Sequence, residues 1–285
     1  VTDSPTVTIG VTGATGHIGG GVASRLDARG RGFRMIVRDA TRAPSFDSLD
    51  VTVSVTEYRD PHDARAALEG VDVLFMVSAA ESDDRVAEHV QFVQSAVEAG
   101  VGHIVYTSFV GAGPDAAFTL ARDHGETERA IRASGVDYTF LRDNFYLDLL
   151  PHWADENGVI RGPAGDGRMA AVARDDVADV AALVLLEPGE HRGAVYEITG
   201  AETLTFTDVA RRASAATGRP LTFVNETVDE AYASRAHYGA PAFMVDAWVS
   251  TYTGVRDGEL ERVTEDVERL TGRAPRTLED VLAGR

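Results

Sequence analysis

The chain has 285 residues, 44% of them hydrophobic and 25% charged, enough for one large α/β unit or two modest domains; a minimal stapled scaffold and a disordered polymer are both excluded. Its 27 basic against 45 acidic residues leave a formal charge of −18, which repels phosphates and anionic headgroups, so neither nucleic acid nor a membrane surface is an expected partner. Cysteine is absent and all 27 basic residues are arginine, which removes disulfides, thiolate nucleophiles, Schiff-base lysines and the lysine of a phosphate-binding P-loop.

Val1 to Pro5 lack the basic segment and apolar run of a signal peptide, and no stretch approaches ~18 uninterrupted apolar residues, so a soluble cytoplasmic protein is expected. Short β-branched runs then alternate with helical patterns, the rhythm of βαβ units around a parallel sheet. Strands are expected at 6–11, 33–37, 51–55, 71–77, 102–107 and 138–141. Between Val77 and Val101 the helical period is clearest. Ser82 and Asp83 are placed to cap that helix, Val86, Val90, Val93 and Val97 form one apolar stripe, and Gly100 stops it. After about Asp155 the rhythm loosens into a Gly/Pro-rich turn at 162–167, a helix at 176–186 whose start Asp175 and Asp176 serve, and a strand at 194–199. Thr227 and Glu230 are spaced as a capping box, and helices are expected at 242–252 and 264–270. This divides the chain into a nucleotide-type domain, 1–155, and a smaller substrate lobe, 156–285, with the strand at 194–199 free to return to the main sheet.

After the first strand comes Thr12-Gly13-Ala14-Thr15-Gly16-His17-Ile18-Gly19, leading into a helical segment. Glycine permits a tight turn and close backbone approach, and the free amides of a helix start suit a pyrophosphate. The spacing is G-x-x-G-x-x-G, a variant of the dinucleotide loop. The second strand ends in Val37-Arg38-Asp39, with Arg42 beyond. Arginines there can fork onto a 2′-phosphate and favour NADP(H), whereas Asp39 suits a ribose 2′-hydroxyl and keeps NAD(H) possible. Asp60, after the third strand, and Ser78, at the end of the fourth, fall near such a cofactor in a doubly wound sheet. No zinc-ligand or calcium-loop pattern occurs, so no metal is expected.

The runs TGATGHIGG, VRD, DVLFMVSA, HIVYTS, ARDHGETERAIRASGVDYTFLRDNFY and RDDVADV together resemble the NmrA-like atypical short-chain dehydrogenase/reductases, most of all their NAD(P)H:quinone oxidoreductase type. The likeness runs in order through nearly the whole chain. It implies a Rossmann-type doubly wound parallel sheet with a smaller C-terminal α/β substrate lobe. Ordinary members of the wider superfamily use a Ser and a Tyr-Lys pair. Ser108 matches the serine, but Leu120 and His124 stand where the tyrosine and lysine would be. Either His124 contacts substrate or ribose, or it is a surface or capping histidine beside Glu126 and Glu128. The resemblance also places Asn144, Phe145 and Tyr146 at the pocket, Asn144 near the cofactor and Tyr146 as a possible proton donor, with Phe243, Met244 and Trp248 as candidates to cover it.

Hydride addition to an isolated ketone leaves an alkoxide, conjugate acid pKa ~16, whereas a quinone leaves a phenolate-like anion near ~10, a difference worth roughly 8 kcal/mol in the free anion. Without the Tyr-Lys pair the site suits a flat aromatic or quinone-like acceptor, or a cationic dye, reduced by NADPH with Ser108 and His124 at the acceptor oxygen or ribose. The alternative is a coenzyme-binding redox sensor of the NmrA kind that turns nothing over. Oligomeric state is not legible.

Overall fold

The strands are β1 (Ile9–Thr12), β2 (Phe33–Val37), β3 (Val51–Val55), β4 (Val73–Met76), β5 (His103–Phe109), β6 (Asp137–Asp143), β7 (Val159–Gly162), β8 (Val195–Ile198) and β9 (Thr222–Asn225). Seven of them form one sheet in the order β3-β2-β1-β4-β5-β6-β8, every pair parallel, while β7 and β9 make a separate parallel pair. The computed structural model describes residues 7–46 and 50–285; the Val1 to Pro5 segment and Thr6 of the first expected strand lie outside them. No helix among the described residues is long and apolar enough to cross a membrane.

The helices are α1 (His17–Asp27), α2 (Pro61–Leu68), α3 (Arg85–Glu98), α4 (Thr119–Ser134), α5 (Arg174–Leu186), α6 (Phe206–Thr217), α7 (Val228–Arg235), α8 (Ala242–Arg256), α9 (Asp266–Thr271) and α10 (Leu278–Leu282). Parallel strands need crossover connections, and the helices that supply them cover both faces of the sheet. Because side chains alternate along each strand, Ile9, Val11, Val73, Phe75, Val105 and Leu141 meet α1 and α5 on one face. Leu74, Met76, Ile104, Tyr106 and Phe140 meet α2, α3 and α4 on the other.

The sequential division at residue 155 is crossed by the chain. α5 packs against α1, and β8 adds itself to β6, so the smaller lobe is discontinuous and consists of β7, β9, α6, α7, α8 and α10. Its core joins Phe206, Tyr252, Val255 and Leu278 to Phe109, Phe118 and Phe145 from the sheet's C-terminal edge. The capping box of Thr227 and Glu230 forms as spaced. Asp176 does not cap α5; fully buried, it accepts from Arg273 (2.7 Å) and from the amide of Arg276 (2.8 Å), tying the C-terminal segment down.

The valine stripe of α3 is a correction. Val90 and Val97 are exposed, and the buried face carries Arg85, His89, Phe92, Val93 and Ala96. Nor do Ser82 or Asp83 cap the helix, whose N-cap residue, Asp84, makes no side-chain cap bond. The face is rotated because two polar residues on it have partners beneath the helix.

Candidate active site

β1 and β4 are adjacent, and the sheet order runs away from them in opposite directions. A crevice therefore opens at their C-terminal ends. Gly13, with φ of +64°, turns the chain out of β1, and the amide of Gly16 closes the turn on its carbonyl at 2.8 Å. A Cβ at Gly19 would lie 2.4 Å from the backbone of Gly13, so only glycine lets α1 start this close to the strand. Gly16 supplies no side-chain cap, and the amides of His17, Ile18 and Gly19 have no protein acceptor among the described residues. Three free N–H groups at the positive end of a helix form an anion site that fits a pyrophosphate. Thr15, Gly16 and His17 are exposed there, while Ile18 sends its side chain into the core and offers only its amide.

Arg38 and Arg42 are both exposed past β2, and neither makes a side-chain hydrogen bond or ion pair among the described residues. Asp39 differs. One carboxylate oxygen caps the turn at Ala40–Arg42, accepting from the amide (2.9 Å) and hydroxyl (2.7 Å) of Thr41, which hold its pKa below the usual value. Asp60 likewise caps α2, accepting from the amide of Asp63 at 3.0 Å. Ser78 follows β4, its amide bonded to the hydroxyl of Thr107 at 2.8 Å, and lies on the wall of the cavity described next.

A cavity of about 1220 Å³ extends from Ser78 past the ends of β5 and β6 to α7 and α8 of the smaller lobe. Its apolar wall includes Phe109, Phe118, Leu120, Phe145, Trp153, Met244 and Trp248. Phe243 is not among its lining residues. The opposite wall is polar. Arg85, only 4% exposed, donates from Nε to the carbonyl of Ala79 (3.0 Å), from Nη1 to Asp123 (3.3 Å) and from Nη2 to Nε2 of His124 (3.1 Å). A guanidinium only donates, so His124 is the neutral tautomer with its proton on Nδ1, facing the hydroxyl of Tyr106 at 2.9 Å. Burial, and then the charge of Arg85, hold its pKa well below the usual value. His89 is fixed in the same way. Its Nε2 accepts from the amide of Ala79 (2.8 Å), and its Nδ1 donates to Thr127 (2.9 Å), whose hydroxyl passes on to the carbonyl of Asp123 (2.9 Å). Burial first, and Arg85 second, lower its pKa to about 3.

His124 is thus neither a surface cap nor a titrating stand-in for lysine. It lines the cavity with both ring nitrogens engaged. Ser108 is a second correction: fully buried and not part of the cavity wall, its hydroxyl donates at 2.6 Å to Glu128. Glu128 in turn receives Arg142 (2.7 Å) and Arg132 (3.1 Å). Strand alternation turns Ser108 toward α4, so it cannot hold an acceptor oxygen. Asn144 lines the cavity from beneath with its amide used internally, donating to the carbonyl of Leu260 (3.0 Å) and accepting from the amide of Phe145 (2.7 Å). Tyr146 lines it as well. Its hydroxyl donates to Asp143 at 2.6 Å, and burial, followed by that carboxyl, raises its pKa well above 10.

Sequence reasoning missed Arg85, His89 and Asp143. The available signal for the first two was their spacing, four apart on the helix face that also carries Phe92, Val93 and Ala96.

Residues 5–243 match the NmrA-like family. The chain belongs to that family. It is 33% identical over 270 residues to the NAD(P)H azoreductase of Xenophilus azovorans, covering 94% of each chain. The NADPH-dependent quinone oxidoreductase of Escherichia coli, solved with NADPH, superposes with a TM-score of 0.85 at 32% identity, over 97% of this chain and 99% of that one. Citrobacter sp. triphenylmethane reductase, solved with NADP(H), gives 0.84 at 30% identity over 98% and 100%. The NmrA-like fold and the glycine loop that opens it are therefore set in their expected context, a parallel Rossmann sheet.

Proposed function

We propose that the protein is an NAD(P)H-dependent reductase that prefers NADP(H) and reduces flat conjugated acceptors of the quinone or dye class. The carrying observation is that the uncapped start of α1, which follows β1, and the aromatic-walled cavity, which begins at Ser78 after the neighbouring β4, both lie at the C-terminal ends of strands of a single sheet. Relatives named as azo, quinone and triphenylmethane reductases, two of them solved with NADP(H), support this reading. When bound, the dinucleotide supplies the hydride.

The chain's residues divide the remaining work. The amides of His17, Ile18 and Gly19 hold the pyrophosphate, and Arg38, with Arg42, meets the 2′-phosphate. Asp39, with one oxygen committed to its own turn, is the weaker ribose ligand. Phe109, Phe145 and Trp248 stack an acceptor and exclude water. Leu120 and His124, matched to the positions of the wider superfamily's Tyr-Lys pair, both line the cavity. Neither residue can serve as the proton donor that the pair supplies in that superfamily. His124 positions Arg85 and leaves that guanidinium two of its five N–H groups for an acceptor oxygen.

The test follows NADPH absorbance with simple quinones, cationic triarylmethyl dyes and aldehydes in parallel. Turnover of the first two, with aldehydes slow, is expected. Absence of turnover with all three would favour a coenzyme-binding regulator.

A further inference from the structure

We propose that Asp143 is the proton donor of this site, its carboxyl group at the cavity end of β6 protonating the anion that hydride addition leaves on the acceptor. The inference rests on the reductase reading above. It answers the gap that reading leaves, since the chain contains no lysine and Leu120 stands at the tyrosine position.

Asp143 is 3% exposed, lines the cavity with Arg85, His124 and Tyr146, and forms no ion pair among the described residues. Among the described residues its carboxyl has one side-chain hydrogen-bond partner, the hydroxyl of Tyr146 at 2.6 Å. A carboxyl removed from water and lacking a cation at contact distance is more stable as the acid. Burial raises its pKa to about 8, against the smaller opposing pulls of Tyr146 and the charge of Arg85. The other groups around the pair are His124 from α4, neutral, and Asp148 and Arg174, which act on Tyr146. Tyr146 keeps its own proton and aims the carboxyl.

The chemistry balances. Hydride from the reduced dinucleotide brings two electrons to a quinone, whose π bond opens to leave charge on oxygen. The O–H bond of Asp143 breaks as one forms on that oxygen, and the carboxylate takes a proton back from water after product leaves. A cationic triarylmethyl dye requires only the first event, because hydride neutralises its carbon centre and no proton is transferred.

The two acceptors therefore separate the roles. Asp143→Asn is expected to lower the ratio of quinone kcat to dye kcat by roughly 10²-fold or more. In the unaltered protein, quinone kcat is expected to fall as pH rises through about 8, a limb that dye kcat lacks. Tyr146→Phe removes a bond that favours the carboxylate, so the limb moves to higher pH. Independently of turnover, the coenzyme-free protein is expected to show an infrared band of a protonated carboxyl that fades over the same pH range and is missing in Asp143→Asn. Equal losses on both acceptors, a stationary limb in Tyr146→Phe, or no such band would overturn the role of Asp143. Absence of turnover of either acceptor by the unaltered protein would overturn the reductase reading itself.

Discussion

At the start of α1 the unpartnered polar groups are backbone amides, whereas the cavity wall at the ends of β5 and β6 is made polar by side chains gathered from α3, α4 and the last residue of β6. The first arrangement is fixed by covalent geometry and by the absence of a Cβ at Gly13 and Gly19. The second requires Arg85, His89, His124 and Asp143 to be taken out of water, each less than a tenth exposed, and kept there by partners that dictate protonation. One end is thus sensitive to an added methyl group at Gly19, and the other to changes of protonation.

Acid should break the side-chain end first. His89 titrates near 3 and His124 well below its ordinary value, both mainly through burial, while the unfolded chain titrates near ~6.5. Above that value neither state is protonated and the histidines contribute nothing to pH dependence. Below it the unfolded chain binds protons that the folded chain refuses, so stability falls with pH by up to about 1.4 kcal/mol per unit for each histidine, roughly 3 kcal/mol per unit for the pair. Urea denaturation at pH 7.5, 6.5 and 5.5 measures this. His89→Gln, whose amide can still accept from Ala79 and donate to Thr127, should reduce the slope by up to about 1.4 kcal/mol per unit, the rest staying with His124 and with His103 and His191, whose pKa values burial also lowers; an unchanged slope would mean that His89 is protonated in the fold.

The backbone end should respond to Gly19→Ala. The new Cβ meets the carbonyl of Gly13 at 2.4 Å, and displacing that loop costs about 3 kcal/mol at the upper end of ordinary overpacking, or roughly 10²-fold in NADPH affinity. Calorimetric titration at pH 6.5 and 8 should give the same loss at both, since no titrating side chain holds the pyrophosphate.

The same contrast governs what could be read from the chain. Glycines at fixed offsets after a strand state a local requirement, so the loop, its helix and the parallel sheet were legible. Arg85 and Asp143 carry no local mark. Their meaning comes from His124, thirty-nine residues from Arg85, and from a cavity wall completed by the smaller lobe. The misread valines of α3 show the same difficulty, because counting apolar residues gave the helix the wrong face while its two buried polar residues marked the right one. Ser108 was matched by position alone, and strand alternation, which turns it to Glu128, was the unused information.

Specificity for the coenzyme sharpens the comparison, since Arg38 and Arg42 are where the phosphate end is proposed to use side chains. Charge-assisted hydrogen bonds of an exposed arginine to a 2′-phosphate contribute ~1.5–3 kcal/mol. Arg38→Ala should weaken NADPH about 10- to 100-fold and leave NADH unchanged, as read by protein fluorescence quenching. Equal affinities for the two coenzymes before mutation would remove the arginine from recognition.

The smallest effect is expected at the lobe's aromatic wall. Trp248 on α8 lines the cavity and meets Tyr238 edge to face at 5.7 Å and 79°, whereas Arg85 and Asp143 belong to α3 and β6. It offers apolar surface that an acceptor touches equally before and during reaction, so its loss removes uniform binding. An aromatic contact of this kind contributes about 1 kcal/mol, and Trp248→Ala should raise KM for quinone and dye alike by roughly fivefold with kcat unchanged. A fall in kcat instead would mean that α8 helps align the acceptor on the coenzyme, and would make the smaller lobe part of the chemistry and more than its cover.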